Sequence, residues 1–295
     1  MSWFGRIFRG DEGRSEPGPP LLGEADRFLP GGAATSFRVV RTRSAPDPAT
    51  GRRTFRSGVG VSFASRDDAE RLAEAQAQLA LDAARSGASA DLGGYAYLAN
   101  RKTEPLVETL GDGAGTAARI TVNGYGALVL NTARALFVDI DTSDDGEDPP
   151  VSEPPRQIGD ALGRHEELRF RIYRTRGGWR LLCTNEPFDP ASAEAESLLV
   201  DLGADPKYVV LCRVQRSFRA RLTPKPWRAR YRPGEIAPGE GVARADVQRY
   251  VDRTWRYATA RHVGGAGRDE TPLEVWPIVE YHDRWTQATS GKPLA

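Results

Sequence analysis

The sequence predicts an α+β protein, a smaller N-terminal βα unit beside a sheet-bearing domain. Three observations carry that expectation. Strand candidates crowd together between Ile120 and Asp141, separated only by tight turns. A cleanly alternating segment from Leu168 turns back on itself across Gly177 and Gly178. The Ala- and Leu-rich run from Arg66 to Arg85 places apolar residues at helical spacing. At 295 residues, 39% hydrophobic and 27% charged, the chain is long enough for one large domain or two small ones.

Residues 1–36 are rich in Gly, Pro and charge and read as a tail and linker. Residues 37–118 form the βα unit. Strands are expected at Phe37–Val40 and Val59–Phe63, then a helix capped by Ser65, with Asp67 and Asp68 in its first turn. Tyr95 to Gly115 reads as irregular. Residues 119–232 form the core. Strands at Ile120–Asn123, Ala127–Leu130 and Ala135–Val138 are followed by an acidic, Pro-containing loop from Thr142 to Pro155. A short helix fits Gln157–Glu167. Leu168, Phe170 and Ile172 then alternate with Arg169, Arg171 and Tyr173 before the hairpin returns over Trp179–Thr184. A helix over Pro190–Gly203 and a strand over Tyr208–Leu211 complete the core. Residues 233–295 read as a helical or irregular extension, with one helix near Ala245–Ala260.

Several function classes are disfavoured at once. No stretch of about 18 apolar residues occurs, so no spanning helix is expected. Trp3, Phe4, Ile7 and Phe8 are broken by Arg6 and Arg9, which leaves no signal-peptide core and points to the cytoplasm. Cys183 and Cys212 sit in apolar runs that read as strands, as buried free thiols. His165, His262 and His282 are too scattered for a metal motif. Neither a Gly-x-Ser-x-Gly elbow nor a phosphate-loop signature is present.

The net charge is +1, yet only four of the 41 basic residues are Lys, the rest being Arg. A GC-rich genome accounts for the bulk of that bias, so Arg counts matter where Arg clusters. Three constellations stand out. Asp139 and Asp141 close an apolar strand that reads as central. At i and i+2 they face the same side and can share a divalent cation, whereas Asp144 to Asp148 read as solvated. Second, Gly177 and Gly178 lie between Arg176 and Arg180. Glycine lets backbone amides approach a phosphate closely, and Arg suits forked contact with it. Third, Arg213 to Arg232 holds eight basic residues and no acid, with Phe218, Trp227 and Tyr231 interleaved. Arg213, Arg216, Arg219, Arg221, Lys225 and Arg228 would neutralise phosphates, while Trp227 offers a base a stacking surface.

In this order the three constellations resemble the archaeo-eukaryotic primase superfamily, closest to the primase-polymerases of plasmids, phages and mobile elements. The resemblance spans roughly Ala135 to Leu211. It rests on the strand ending Asp139-Ile140-Asp141, on Gly177-Gly178-Trp179-Arg180, and on an acid, Asp201 or Asp205, ahead of Tyr208–Leu211. It implies an RRM-like catalytic core, with Asp139, Asp141 and one of Asp201 or Asp205 (Asp201 the better sequence match) holding two Mg²⁺ or Mn²⁺ ions. Arg176, Gly177, Gly178 and Arg180 would then hold a nucleoside triphosphate. Arg180 stands where the family has His, and no His lies between Glu166 and Arg261. The expected function is therefore a divergent nucleotidyltransferase acting on nucleic acid. The alternatives are a catalytically inactive nucleic-acid-binding module of the same fold, or a protein-interaction component.

Overall fold

The hairpin predicted around Gly177 and Gly178 supplies the two middle strands of a four-stranded sheet. β8 (Phe170–Thr175) and β9 (Gly178–Cys183) pair antiparallel, with Tyr173 opposite Arg180 and Thr175 opposite Gly178. β7 (Phe137–Asp141) and β12 (Ala260–Ala266) flank them, giving the order β12-β8-β9-β7. A second antiparallel sheet has the order β10-β6-β5-β4. Its strands are β4 (Leu106–Gly111), β5 (Thr116–Val122), β6 (Leu128–Thr132) and β10 (Phe218–Arg221). This computed structural model describes residues 16–22, 25–29, 37–46, 50–62, 66–85, 104–111, 116–142, 154–231, 240–266 and 274–295. The mixed, largely antiparallel architecture agrees with the α+β expectation. Side chains from both sheets share one hydrophobic core, including Ile120, Leu130, Phe137, Leu181 and Phe218, and helical residues such as Leu199 and Ile278 join it.

β7 was expected to be central, but it ends its sheet. It is nonetheless buried, because helix α4 (Pro206–Gln215) covers its free edge. The Asp205 amide donates to the Asp139 carbonyl at 3.0 Å, and the Tyr208 hydroxyl donates to the Phe137 carbonyl, also at 3.0 Å. An open strand edge is a pairing hazard, and here the helix start closes it. α4 itself corrects the strand expected at Tyr208–Leu211, and with it the strand placement of Cys212. Asp205 accepts from the Lys207 and Tyr208 amides and Pro206 occupies the first turn, a start signal that outweighs the β-branched Val209-Val210 pair. Both cysteines are buried and free, as expected.

Other boundaries shift for identifiable reasons. Helix α2 (Arg156–Gly163) and helix α3 (Ala193–Asp201) appear where helices were expected, α3 capped by Ser192. β4 lies inside the stretch read as irregular, and a boundary at 118/119 would cut β5. The C-terminal part is not an appendage. Helix α5 (Arg244–Thr254) gives way to β12, whose Arg261, His262, Gly264 and Gly265 hid the strand pattern, and helix α6 (Trp276–Thr286) packs Ile278, Val279 and Trp285 into the core. Part of the proposed linker is docked too. Leu21 and Phe28 are buried, and β1 (Arg27–Phe28) pairs with β11 (Val242–Ala243).

The N-terminal unit is a hairpin, β2 (Phe37–Pro46) with β3 (Arg53–Ser62), covered by helix α1 (Arg66–Arg85). Its strands are longer than predicted, because the polar excursion after Val40 continues the ladder. Gly58 and Gly60 lie beneath Ala69, Ala73 and Ala77, so close that a Cβ on Gly60 would overlap the Ala69 carbonyl oxygen. Val39, Ala69 and Ala73 form a small core of their own. The predicted Ser65 cap, the end of the second strand at Phe63 and the acidic loop at Asp144–Asp148 lie outside the described residues. Among the described residues no helix is long and apolar enough to cross a membrane.

Candidate functional site

One rung of the central sheet sets the site. Asp139 on β7 pairs with Arg180 on β9, which pairs with Tyr173 on β8, which pairs with His262 on β12. Residues directly opposite in an antiparallel sheet share a face, so these four side chains form a row. Two pairs along the same ladder, and so on the same face, Asp141 stands opposite Gly178. A Cβ on Gly178 would fall on the Ile140 carbonyl oxygen, and within 2.9 Å of the Ile140 carbonyl carbon and 3.0 Å of the Asp141 Cα. Gly177 has a different neighbour: a Cβ there would stand 2.9 Å from Arg228 Nη2. The two glycines thus serve separate purposes. One seats β9 against β7, and the other seats a guanidinium.

Arg180 is 2% exposed and lies on Asp139, donating from Nε and Nη2 to Oδ1 at 3.2 Å each. Its Nη1 donates to the Arg221 carbonyl at 3.0 Å. Asp205, rather than Asp201, is the further acid brought to β7. Asp141 is pushed up from the usual carboxylate range, first by lost hydration, then by Asp139, with Asp205 adding to the push and Lys225 opposing it. Asp201 is held on the surface by Arg164 at 2.8 Å and His165 at 2.8 Å, which lower its pKa. Asp205 uses Oδ1 to cap α4.

The basic strip divides. Arg213 is bound to Glu196 at 2.9 Å, and Arg216 is the exposed, left-handed residue that ends α4. Arg219 points inward and pairs with Glu104 at 2.7 Å, both about 5–6% exposed. It therefore does not form part of an exposed basic face. Arg176 donates to the Leu294 carbonyl at 3.3 Å. Arg221 and Lys225 converge on the aspartates. Burial lowers the pKa of each, and the crowding of Arg221 with Arg180, and of Lys225 with Arg221 and Arg228, lowers them further. Among the described residues, Arg180 and Arg221 thus act on Asp139, and Lys225 on both Asp139 and Asp141.

Trp227 is 55% exposed and meets Tyr125, 54% exposed, edge to face at 5.4 Å. The Lys225 ammonium lies 5.6 Å from the Trp227 ring centre. Sequence reasoning found Trp227 but missed Tyr125. Its signal was an aromatic held between Gly124 and Gly126 in a turn that Asn123 closes through the Tyr125 and Ala127 amides. Behind the rung, α6 supplies His282 and Asp283, also missed. Asp283 accepts from Tyr173 Oη at 2.7 Å, Arg171 Nη2 at 2.6 Å and His282 Nδ1 at 3.1 Å.

Asp139 is matched by the Arg180 guanidinium and Asp205 by the first amides of α4. Among the described residues no three His, Cys, Asp or Glu side chains stand together as metal ligands. Compared with known families, curated proteins and solved structures, the chain matches none.

The buried His282 carries a pH signature. Burial lowers its pKa below the ordinary 6.5, helped by Arg180 and Arg171 and opposed by Asp283. As pH falls below 6.5 the unfolded chain takes up this proton before the folded one, so stability is full above that pH and declines beneath it. Asp283, whose hydrogen bonds hold it below 3.8, adds a second loss in stronger acid. Thermal midpoints measured from pH 8 to pH 3 are expected to begin falling near 6.5 in the wild type, and His282→Gln to lack that first step.

Proposed function

We propose that this chain binds nucleic acid at the rim formed by the end of β7 and the Gly177–Gly178 turn, as a charge-compensated module resembling the primase-polymerases. The observation that carries the reading is the exposed Trp227–Tyr125 corner beside Lys225, with Arg228 seated on Gly177. An aromatic corner suits a base, and the adjoining cations suit its phosphates. Arg180 supports the non-catalytic form, because a buried guanidinium supplies Asp139 with the positive charge that the family's motif takes from an ion. Lys225 interacts with Asp141 and Asp139 and stands with Arg221 and Arg228, which sets cations beside the acids of the rim.

Salt titrations of a fluorescent oligonucleotide test this. Lys225→Ala is expected to reduce the log–log salt slope by about 1, and Trp227→Ala to weaken binding by about 1–3 kcal/mol. Asp139→Asn should leave binding intact. No binding at low salt would overturn the proposal.

The nucleotidyltransferase remains the second reading, with nucleoside triphosphates and Mg²⁺ or Mn²⁺ as its partners. It is favoured by the convergence of Asp205 on Asp139 and Asp141. Template-directed nucleotide incorporation with Mn²⁺, abolished by Asp139→Asn, would establish it over the binding module.

A further inference from the structure

The row Asp139, Arg180, Tyr173 and His262 is covered by α6, and His282 is the residue it places against Arg180. The imidazole is fully buried, its ring 4.7 Å from Tyr173 and 5.3 Å from Phe137. Nε2 stands 3.4 Å from Arg180 Nη1, and Nδ1 stands 3.1 Å from Asp283 Oδ1. Donor and acceptor roles follow from chemistry. A guanidinium has only donors, so Nε2 must accept; a neutral imidazole then carries its proton on Nδ1, where the Asp283 carboxylate receives it. Every other bond agrees with that polarity. Tyr173 donates to Asp283 and accepts from Arg171 Nε at 2.9 Å, and Arg180 donates three further hydrogens, two to Asp139 and one to the Arg221 carbonyl.

We propose that His282 is a positioning residue of the rim: as a neutral imidazole protonated on Nδ1, it holds the Arg180 guanidinium in register with Asp139. Nothing in the motif near β7 indicates this, since His282 lies over a hundred residues from Arg180 and on another element. Without an acceptor behind it, Arg180 loses one of its anchors and compensates Asp139 less completely. The carboxylate then opposes an incoming phosphate. A second proton on Nε2 would break the same contact by facing cation with cation. The groups that set this are those packed on the ring: Arg180 from β9, Tyr173 from β8, and Asp283 from α6 with its partner Arg171.

Two measurements on the full chain test the assignment, and the affinity measurement rests on the nucleic-acid reading. Long-range ¹H–¹⁵N spectra of histidine-labelled protein at neutral pH should show His282 with a protonated Nδ1 and a bare Nε2. For a fluorescent oligonucleotide, His282→Leu is expected to weaken affinity about tenfold, whereas His282→Gln, whose amide oxygen can accept from Arg180, stays within about twofold of wild type. An Nε2-protonated tautomer overturns the proposal. So does a folded His282→Leu protein that binds like wild type, or a His282→Gln protein as weak as His282→Leu. If the wild type binds no oligonucleotide at any salt, the nucleic-acid reading falls and the tautomer alone decides the role of His282.

Discussion

Glu104→Ala is expected to destabilise the folded protein by about 3–5 kcal/mol, read as a shift in the urea unfolding midpoint. Glu104 and Arg219 form a buried pair at 2.7 Å, the two side chains 6% and 5% exposed. Glu104 also accepts from Thr121 on β5, and Arg219 donates to Gln215 at 2.6 Å. The pair therefore ties the segment leading into β4 to β10, the opposite edge of the same sheet. Truncating Glu104 removes the charge partner while the guanidinium stays in a dry interior, and that uncompensated burial is what costs so much. The same physics predicts recovery. Replacing both residues with methionine removes the two desolvation penalties together, so Glu104→Met with Arg219→Met should lie well above Glu104→Ala in stability. A double variant as unstable as Glu104→Ala would show that packing, not charge, holds this edge.

That pair also marks what the sequence could and could not disclose. The β8–β9 hairpin was legible because alternation and a Gly-Gly turn are local signals, and so were Asp139 and Asp141 at the end of a strand. Arg219 was legible only as one member of a basic run. The run crosses the end of α4, a left-handed cap at Arg216 and a strand whose sides alternate, so neighbours in sequence were sent to different environments. The partner that took Arg219 inward is 115 residues away, and no local pattern names it. His282 was missed for the same reason, since it acquires its role from a residue on a distant element, whereas Tyr125 carried a local signal in its flanking glycines. At α4, competing local signals decided the outcome. Four apolar residues resemble a strand until the Asp-Pro start ahead of them is given its weight.

Gly178→Ala is expected to be the most damaging single methyl group in the site, with a stability loss at or above about 3 kcal/mol. Overpacking is tolerable when the obstructing atoms are the tips of flexible side chains. Here they are the carbonyl of Ile140 and the Cα of Asp141, backbone atoms of a strand that is itself pinned between β9 and α4. Relief requires β9 to move away from β7. That movement would separate Asp139 from Arg180 two rungs further along, because both pairs belong to the same ladder. The sequence assigned Gly178 to a ligand's phosphates; the geometry gives it a prior task, the approach of two strands. The two roles are separable by experiment. If Gly178 serves only a ligand, Gly178→Ala will unfold at the wild-type urea midpoint and lose only oligonucleotide affinity. If it seats β9, stability and affinity will fall together, and Gly177→Ala, whose nearest obstacle is the guanidinium of Arg228, will weaken binding while leaving the midpoint near wild type. Stability is thus expected to track the strand contact and affinity the cation.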